Sequence, residues 1–324
     1  MMDSGPSATE HRISAATNTL AILGCGALGT SILLGLLSQS SKPDGNAEAN
    51  QDAGIPTRFV ACVRREAAAD SIKLKATEAG FCDQSKIDIK VRSNVEGVTG
   101  ADIVVLAVQP HLLDQLFQEP GMRAALSDKI IVSVIAGVTV QQIRSKLERG
   151  SESKDARAGY SVVRVMPNIN CFVRQSTTVI ERGSVGEDVL QIVSRLFECV
   201  DKVFFTEPST MDACTALCGS TPAFFTVILE GLVEGAIATG LKPDDALQMV
   251  SHAMMGTASL VKGGWSTRAV RHGVTSPGGS TIQGVLALEE GGVRWTFAKA
   301  LRVAASGAAK LGSKENVSDL GHSN

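Results

Sequence analysis

A chain of 324 residues, 44% hydrophobic and 20% charged, carries enough apolar material for two domains, each with its own core. A formal net charge of -2 leaves no basic footprint for nucleic acid or an anionic membrane, so the expected partner is a small molecule held locally. The seven cysteines, Cys25, Cys62, Cys82, Cys171, Cys199, Cys214 and Cys218, are odd in number and often embedded in apolar runs. They read as reduced thiols of a cytoplasmic protein and not as a disulfide framework, and no His/Cys spacing completes a metal site.

Residues 1–17 are polar, include Asp3 and Glu10, and lack the apolar core of a secretory signal, so a disordered tail is expected. The first ordered element is an apolar strand, Thr19 to Leu23, followed by Gly24-Cys25-Gly26-Ala27-Leu28-Gly29 and an apolar helix from Ser31 to Leu37. In a strand-to-helix turn of this kind the first glycine allows a tight bend. The second lets a pyrophosphate approach the backbone, and the third lets helix pack on strand. The same spacing also occurs in ordinary tight turns, so its context decides.

Residues 39–56 are rich in Ser, Asn, Asp, Gly and Pro and predict a surface loop insertion. A strand, Arg58 to Val63, runs directly into Arg64-Arg65. At this point in a dinucleotide fold an acidic residue binds a ribose 2′-hydroxyl, whereas arginine accommodates a 2′-phosphate. The pair therefore predicts NADPH, with NADH as the alternative reductant. A helix over Ala67 to Ala79 and a strand over Ile87 to Val91 follow. Three apolar runs then end in turns: Asp102 to Val108 at Gln109-Pro110, Lys129 to Ile135 at Ala136-Gly137, and Val162 to Met166 at Pro167-Asn168. Strands buried on both faces and alternating with helices predict a Rossmann-type doubly wound α/β sheet over 18–206.

After Thr206 the pattern turns helical: Ser209 to Cys218, Pro222 to Gly240, Asp244 to Lys262, Thr267 to His272 and Ser280 to Glu289. An all-α domain over 207–324 is expected, with Asp244 capping its helix and Gly263-Gly264 closing it. Glu230 and Glu234 argue against a membrane span in the apolar Pro222–Gly240 segment and for a helix buried in a core or subunit interface. His252, among Met249, Met254 and Met255, is expected in a core, and His111 at a helix start or loop. Late in the chain, Val274-Thr275-Ser276-Pro277-Gly278-Gly279-Ser280-Thr281 opens a helix with glycines and hydroxyls, a nest suited to a small carboxylate.

Taken with Gly219-Ser220-Thr221-Pro222-Ala223-Phe224-Phe225, Leu106-Ala107-Val108-Gln109-Pro110, Ala136-Gly137-Val138-Thr139 and Arg164-Val165-Met166-Pro167-Asn168, that element makes the sequence resemble the pyrroline-5-carboxylate reductase family. The resemblance runs from about Thr19 to Ala308 in the family's order. It departs at Gln109, where the family usually has Lys, at Thr221 in place of Gly, at Ile169-Asn170 in place of Thr-Pro, and at Val63 in place of Asn or Ser.

The resemblance implies that NADPH delivers a hydride to the imine carbon of 1-pyrroline-5-carboxylate, giving L-proline. Thr281 would hydrogen-bond the imine nitrogen. Ser276, Gly278, Gly279 and Ser280 would hold or shape the carboxylate loop. Gly24, Gly26, Ala27, Leu28 and Gly29 would take the pyrophosphate, Arg64, Arg65 and Asn94 the adenosine end, and Val108, Gln109, Pro110, Ala136 and Gly137 the nicotinamide. The family associates through its helical domain, so a homodimer or larger homo-oligomer is implied. The alternatives are a reductase of a related cyclic imine and a catalytically weak NADPH-binding regulatory protein. A β-hydroxyacid dehydrogenase would present a lysine in the Pro222–Gly240 segment, which contains none.

Overall fold

The computed structural model describes residues 19–40, 56–81, 84–149 and 160–312. The expected tail at 1–17 and Cys82 lie outside the described residues. So does the expected insertion at 39–56, apart from Pro56 and from Gln39 and Ser40, which extend the first helix.

Eight strands make one sheet: β1 (Thr19–Leu23), β2 (Arg58–Val63), β3 (Ile87–Val91), β4 (Ile103–Leu106), β5 (Ile130–Ser133), β6 (Ser161–Met166), β7 (Ser176–Glu181) and β8 (Asp201–Thr206). Their order is β3-β2-β1-β4-β5-β6-β7-β8, and β1 to β6 are mutually parallel. The first six thus follow the doubly wound order, in which the strand sequence reverses between β1 and β4. Crossovers are made by α1 (Ala27–Ser40), α2 (Glu66–Glu78), α3 (Asn94–Thr99), α4 (Leu113–Phe117), α5 (Met122–Ala125) and α6 (Val140–Glu148). β4 and β5 are shorter than the apolar runs that announce them, because Ala107-Val108 and Val134-Ile135 leave the ladder to form exit loops.

Helices cover both faces, so strand residues of either parity are apolar. Leu20, Ile22, Phe59, Ile103 and Val105 enter one core, while Ala21, Leu23, Val104, Leu106 and Ile131 enter the other. α1 packs so closely that a Cβ at Gly35 would overlap the Cys171 carbonyl oxygen.

The antiparallel turn-back from β6 to β7, and the α7 (Glu187–Glu198) crossover to β8, were not expected from the sequence. Ser176-Thr177-Thr178 reads as polar, yet Ser176 and Thr178 are buried and their hydroxyls bond each other at 3.1 Å. Their polar groups are satisfied inside the strand, a pairing that hydrophobic periodicity does not report.

The chain divides into two compact units, one running to Gly219 and including the residues from Ala305, the other Ser220–Ala304. The composition shift after Thr206 marks the end of the sheet. The division falls later because α8 (Met211–Cys214) packs Met211 with Met166 and Val179. A π-helical turn, Thr215–Ser220, then leads into α9 (Thr221–Ala238), α10 (Pro243–Lys262), α11 (Thr267–Gly273), α12 (Ser280–Glu290) and α13 (Val293–Leu311). Asp244 is not the cap of α10. Lys242 holds that position, Pro243 enters the first turn where its missing N–H costs nothing, and Asp244 and Asp245 lie at the positive end of the dipole.

Within the single chain, α9, α11 and α12 bury no residue and α10 buries only Ala246. Among the described residues of the single chain, neither the Pro222–Gly240 segment nor His252 sits in a core, so of the two expected settings for that helix only the subunit interface remains. His252 is exposed beside Leu247, Met249 and Met255, because no described element of its own chain covers that stripe. By length and composition Pro208–Ala238 is apolar enough to cross a membrane, with 11% of its apolar window buried.

Candidate cofactor and substrate sites

The sheet order sets five of the expected stretches side by side. Gly24 follows β1, Arg64-Arg65 follow β2, Asn94 follows β3, Val108-Gln109-Pro110 follow β4, and Ala136-Gly137 follow β5. All leave the carboxyl ends of neighbouring parallel strands around the reversal point, where ligands of open α/β sheets lie. The backbone stitches the exits together: Gly24 and Cys25 donate to the Cys62 carbonyl at 3.2 and 3.1 Å, Ala107 to Leu23 at 2.8 Å, and Val134 to Leu106 at 3.1 Å.

Each glycine of the first turn meets a different constraint. Gly24 has φ +85°, and a Cβ there would come within 2.6 Å of Val108 Cγ1 and 2.9 Å of the Ala107 carbonyl oxygen. Gly26 is exposed, and a Cβ there would meet nothing within 4 Å, so its Cα side leaves room for a group to approach closely. Gly29 is buried, and a Cβ would meet the Gly24 oxygen at 3.1 Å and Ile22 Cγ2 at 3.2 Å, so it serves helix-on-strand packing. Ala27 and Leu28 begin α1, whose first turn carries no acidic side chain, leaving the positive end of its dipole for an anion.

At the β2 end Arg64 and Arg65 are exposed, with Arg65 at the N-cap of α2. The structure adds Arg92, which sequence reasoning missed. It follows β3 in a left-handed conformation (φ 55°), donates its backbone N–H to the Val63 carbonyl at 2.9 Å, and donates from Nε to the Arg64 carbonyl at 3.2 Å. Arg92 ends its strand as Arg64 ends β2, but a lone arginine at a strand end is no signal until the register is known. Asn94, the first residue of α3, donates from Nδ2 to Glu119 Oε1 at 2.8 Å. Gln109 is exposed at the start of the 3-10 turn Pro110–Leu112, and His111 lies in that turn. Ala136 is half-buried and Gly137 buried with φ +76°.

In the second unit Ser276-Pro277-Gly278-Gly279 form a tight turn, in which Gly279 donates its N–H to the Ser276 carbonyl at 3.1 Å and Gly278 has φ +69°. Proline followed by a positive-φ glycine is the type II pattern. Gly279 becomes the N-cap of α12 without a side-chain cap, and no acid occupies the first turn. Ser280 and Thr281 thus stand exposed on an uncompensated helix N-terminus.

The family profile described as pyrroline-5-carboxylate reductase dimerisation matches residues 208–311, and that described as NADP oxidoreductase, coenzyme F420-dependent, matches residues 19–137. The chain is 46% identical to a Delta-1-pyrroline-5-carboxylate reductase of Curvularia clavata, over 93% of this chain and 98% of that one. The chain belongs to the pyrroline-5-carboxylate reductase family. A pyrroline-5-carboxylate reductase of Lophium arboricola is 37% identical over 91% of this chain and 93% of its own. A crystal structure of a Plasmodium falciparum pyrroline carboxylate reductase with NADP bound shares the fold, with a TM-score of 0.72 at 20% identity, covering 92% of this chain and 99% of that one.

This reductase is accordingly an NAD(P)-dependent oxidoreductase that reduces 1-pyrroline-5-carboxylate to proline, and its helical unit carries the family's dimerisation region. Next to these strand exits lies a buried ion cluster, built on the Arg164-Val165-Met166-Pro167-Asn168 segment. Arg164, fully buried on β6, pairs with Glu181 Oε2 at 3.6 Å and Asp212 Oδ1 at 2.7 Å. Burial pushes the Glu181 carboxyl above its usual range, and Arg164 pulls it back. Asn168 donates to the Cys218 carbonyl at 3.0 Å, so Arg164 within β6 and Asn168 just past it tie α8 and the π-helical turn to the sheet. The described cysteines are free thiols. Burial raises Cys25, Cys171, Cys199 and Cys218 to about 11 and Cys62 to about 12, which keeps them protonated and unreactive.

Proposed function

We propose that the reductase draws its hydride from NADPH in preference to NADH, selecting the 2′-phosphate with Arg64, Arg65 and Arg92. The observation that carries the reading is the convergence of three guanidinium-bearing residues at two adjacent strand ends, with Arg92 held in a left-handed conformation over the Arg64 carbonyl. Such a backbone state costs about 1–2 kcal/mol for a non-glycine residue, and it persists where its surroundings demand it.

NADPH, when bound, supplies the hydride. The chain's own residues bind, orient and exclude water. Gly24 and Gly29 hold the turn that leaves Gly26 and the N-terminus of α1 open to the pyrophosphate. Val108, Gln109, Pro110, Ala136 and Gly137 border the nicotinamide, and Asn94 stands near the adenosine end. The N-terminus of α12, with Gly278, Gly279 and Ser280 on the Ser276 turn, holds the substrate carboxylate, while the Thr281 hydroxyl hydrogen-bonds the ring nitrogen. A protonated imine is already electrophilic, so positioning does most of the work and no histidine base is required.

The exposed apolar faces of α9 and α10 support a homodimer or larger homo-oligomer as the working form, since Phe225, Val227, Leu232, Leu247 and Met249 have no cover among the described residues of their own chain. The dimerisation profile over 208–311 favours that reading of the apolar Pro208–Ala238 stretch over a membrane span. Buried thiols suit a reducing compartment, and we place the enzyme in the cytoplasm, which cell fractionation tests. The deciding assay follows NADPH and NADH oxidation at 340 nm with 1-pyrroline-5-carboxylate, for wild type and for Arg64→Ala, Arg65→Ala and Arg92→Ala. Each substitution is expected to lower kcat/KM for NADPH by about tenfold, as loss of a charge-assisted contact does, and to leave NADH unchanged. Equal losses with both cofactors would refute the selection role.

A further inference from the structure

We infer that the last turn of α13 clamps the loop after β5, and that Gln142 and Gly312 are positioning residues for hydride transfer. The inference rests on the reading above that this loop borders the nicotinamide. Gly137 and Gly312 meet backbone to backbone. A Cβ on Gly137 would overlap the Ala308 carbonyl oxygen and lie 2.9 Å from both Gly312 N and Leu311 Cβ. Conversely, a Cβ on Gly312 would overlap the Gly137 carbonyl oxygen. Neither position has room for a side chain, and Gly137 also needs its left-handed φ of +76°.

Gln142 ties the two segments. Its Oε1 accepts from the Thr139 backbone N–H at 2.8 Å, and its own N–H donates to Thr139 Oγ1 at 3.2 Å, which closes a capping box at the start of α6. The other end of the same amide donates from Nε2 to the Gly312 carbonyl at 2.6 Å. Capping needs only the oxygen, so the nitrogen is left to bind the residue that follows α13. Ala308 is the buried residue of α13, which marks this last stretch as its seated part. The loop from Ala136 to Thr139 is thereby fixed at the sheet by β5, at α6 by the capping box, and from outside by α13. A loop held on three sides can hold a flat ring to the fraction of an ångström that hydride transfer demands.

Gln142→Glu separates the two duties, because the carboxylate still accepts from Thr139 N–H but has no donor for the Gly312 carbonyl. In single-turnover mixing of the full-length enzyme with NADPH and 1-pyrroline-5-carboxylate, this variant is expected to slow NADPH oxidation about tenfold or more, since misplacement near 1 Å costs up to about a hundredfold. The Kd for NADPH should stay within about twofold, because the adenosine end is held at other strands. With 4-deuterated NADPH the isotope effect on kcat should rise. Gly312→Ala, which presses directly on Gly137, should give the same split if Gln142→Glu fails to fold. Unchanged single-turnover rates in either folded variant, or proportional losses of rate and NADPH affinity, would overturn the clamp. Ala136→Val tests the underlying reading separately: were added bulk there to leave hydride transfer unaffected, the loop would not border the nicotinamide, whatever the clamp variants do.

Discussion

Replacing Arg164 with methionine keeps volume and apolar packing but strands the Glu181 carboxylate, whose side chain is only 6% exposed. At 3.6 Å the lost attraction is about 4.6 kcal/mol for an effective dielectric near 20. Asp212, 37% exposed, can turn to water and adds little. Breaking one side of a buried pair costs about 3–5 kcal/mol, so a loss near 4 kcal/mol at pH 7 is expected. The pH dependence is the sharper signature. Glu181 already lies above its usual range in the folded state, and without Arg164 it rises further. A raised folded value means that stability is present below the unfolded carboxylate range and is lost as pH climbs toward the folded value. Arg164→Met should therefore recover stability on going from pH 7 to pH 5, by at most about 2.7 kcal/mol for one proton over two pH units. Urea unfolding at the two pH values, followed by near-ultraviolet dichroism, measures this. A deficit that is the same at both would refute the assignment, because uncompensated charge could not then be its source.

Thr281→Ala should reduce kcat by about tenfold to a thousandfold while NADPH affinity, measured by fluorescence titration, holds. Gly24→Ala forces a side chain to φ +85° against Val108 and the Ala107 carbonyl, and calorimetry should show loss of NADPH binding together with about 1–3 kcal/mol of stability. Native enzyme at pH 8 should leave Cys25, Cys62, Cys171, Cys199 and Cys218 unmodified by a thiol reagent until denaturant is added. Because their folded values lie above the unfolded thiol range, stability should decline from about pH 9 upward. Sedimentation at micromolar concentration should show no monomer species.

The glycine turn, the first six strands and the Ser276–Thr281 loop were legible because each couples a local constraint to a residue type. Gly24 and Gly278 need positive φ, Pro277 pre-sets a turn, and parallel strands need apolar residues on both faces. β7 was hidden because Ser176 and Thr178 satisfy each other within the sheet. Arg92 was invisible because it acquires meaning only when β3 lies beside β2. Similarly, His252 looked internal because its neighbours are apolar, but periodicity reports an apolar stripe and not which molecule covers it. α13 mixes Arg294, Lys299 and Arg302 with its apolar residues, and its seated end is recognisable only from the glycine it meets.

The uncovered helices of the second unit bear on how the enzyme is made. On release each newly made chain presents Phe225, Leu247, Trp265 and Trp295 of this unit to the medium until another copy arrives. Its lifetime in that condition falls as synthesis quickens, and dilution lengthens it. Abundance therefore acts on this enzyme as a folding condition, and a variant defective only in assembly would be cleared as a misfolded protein with its dinucleotide fold intact.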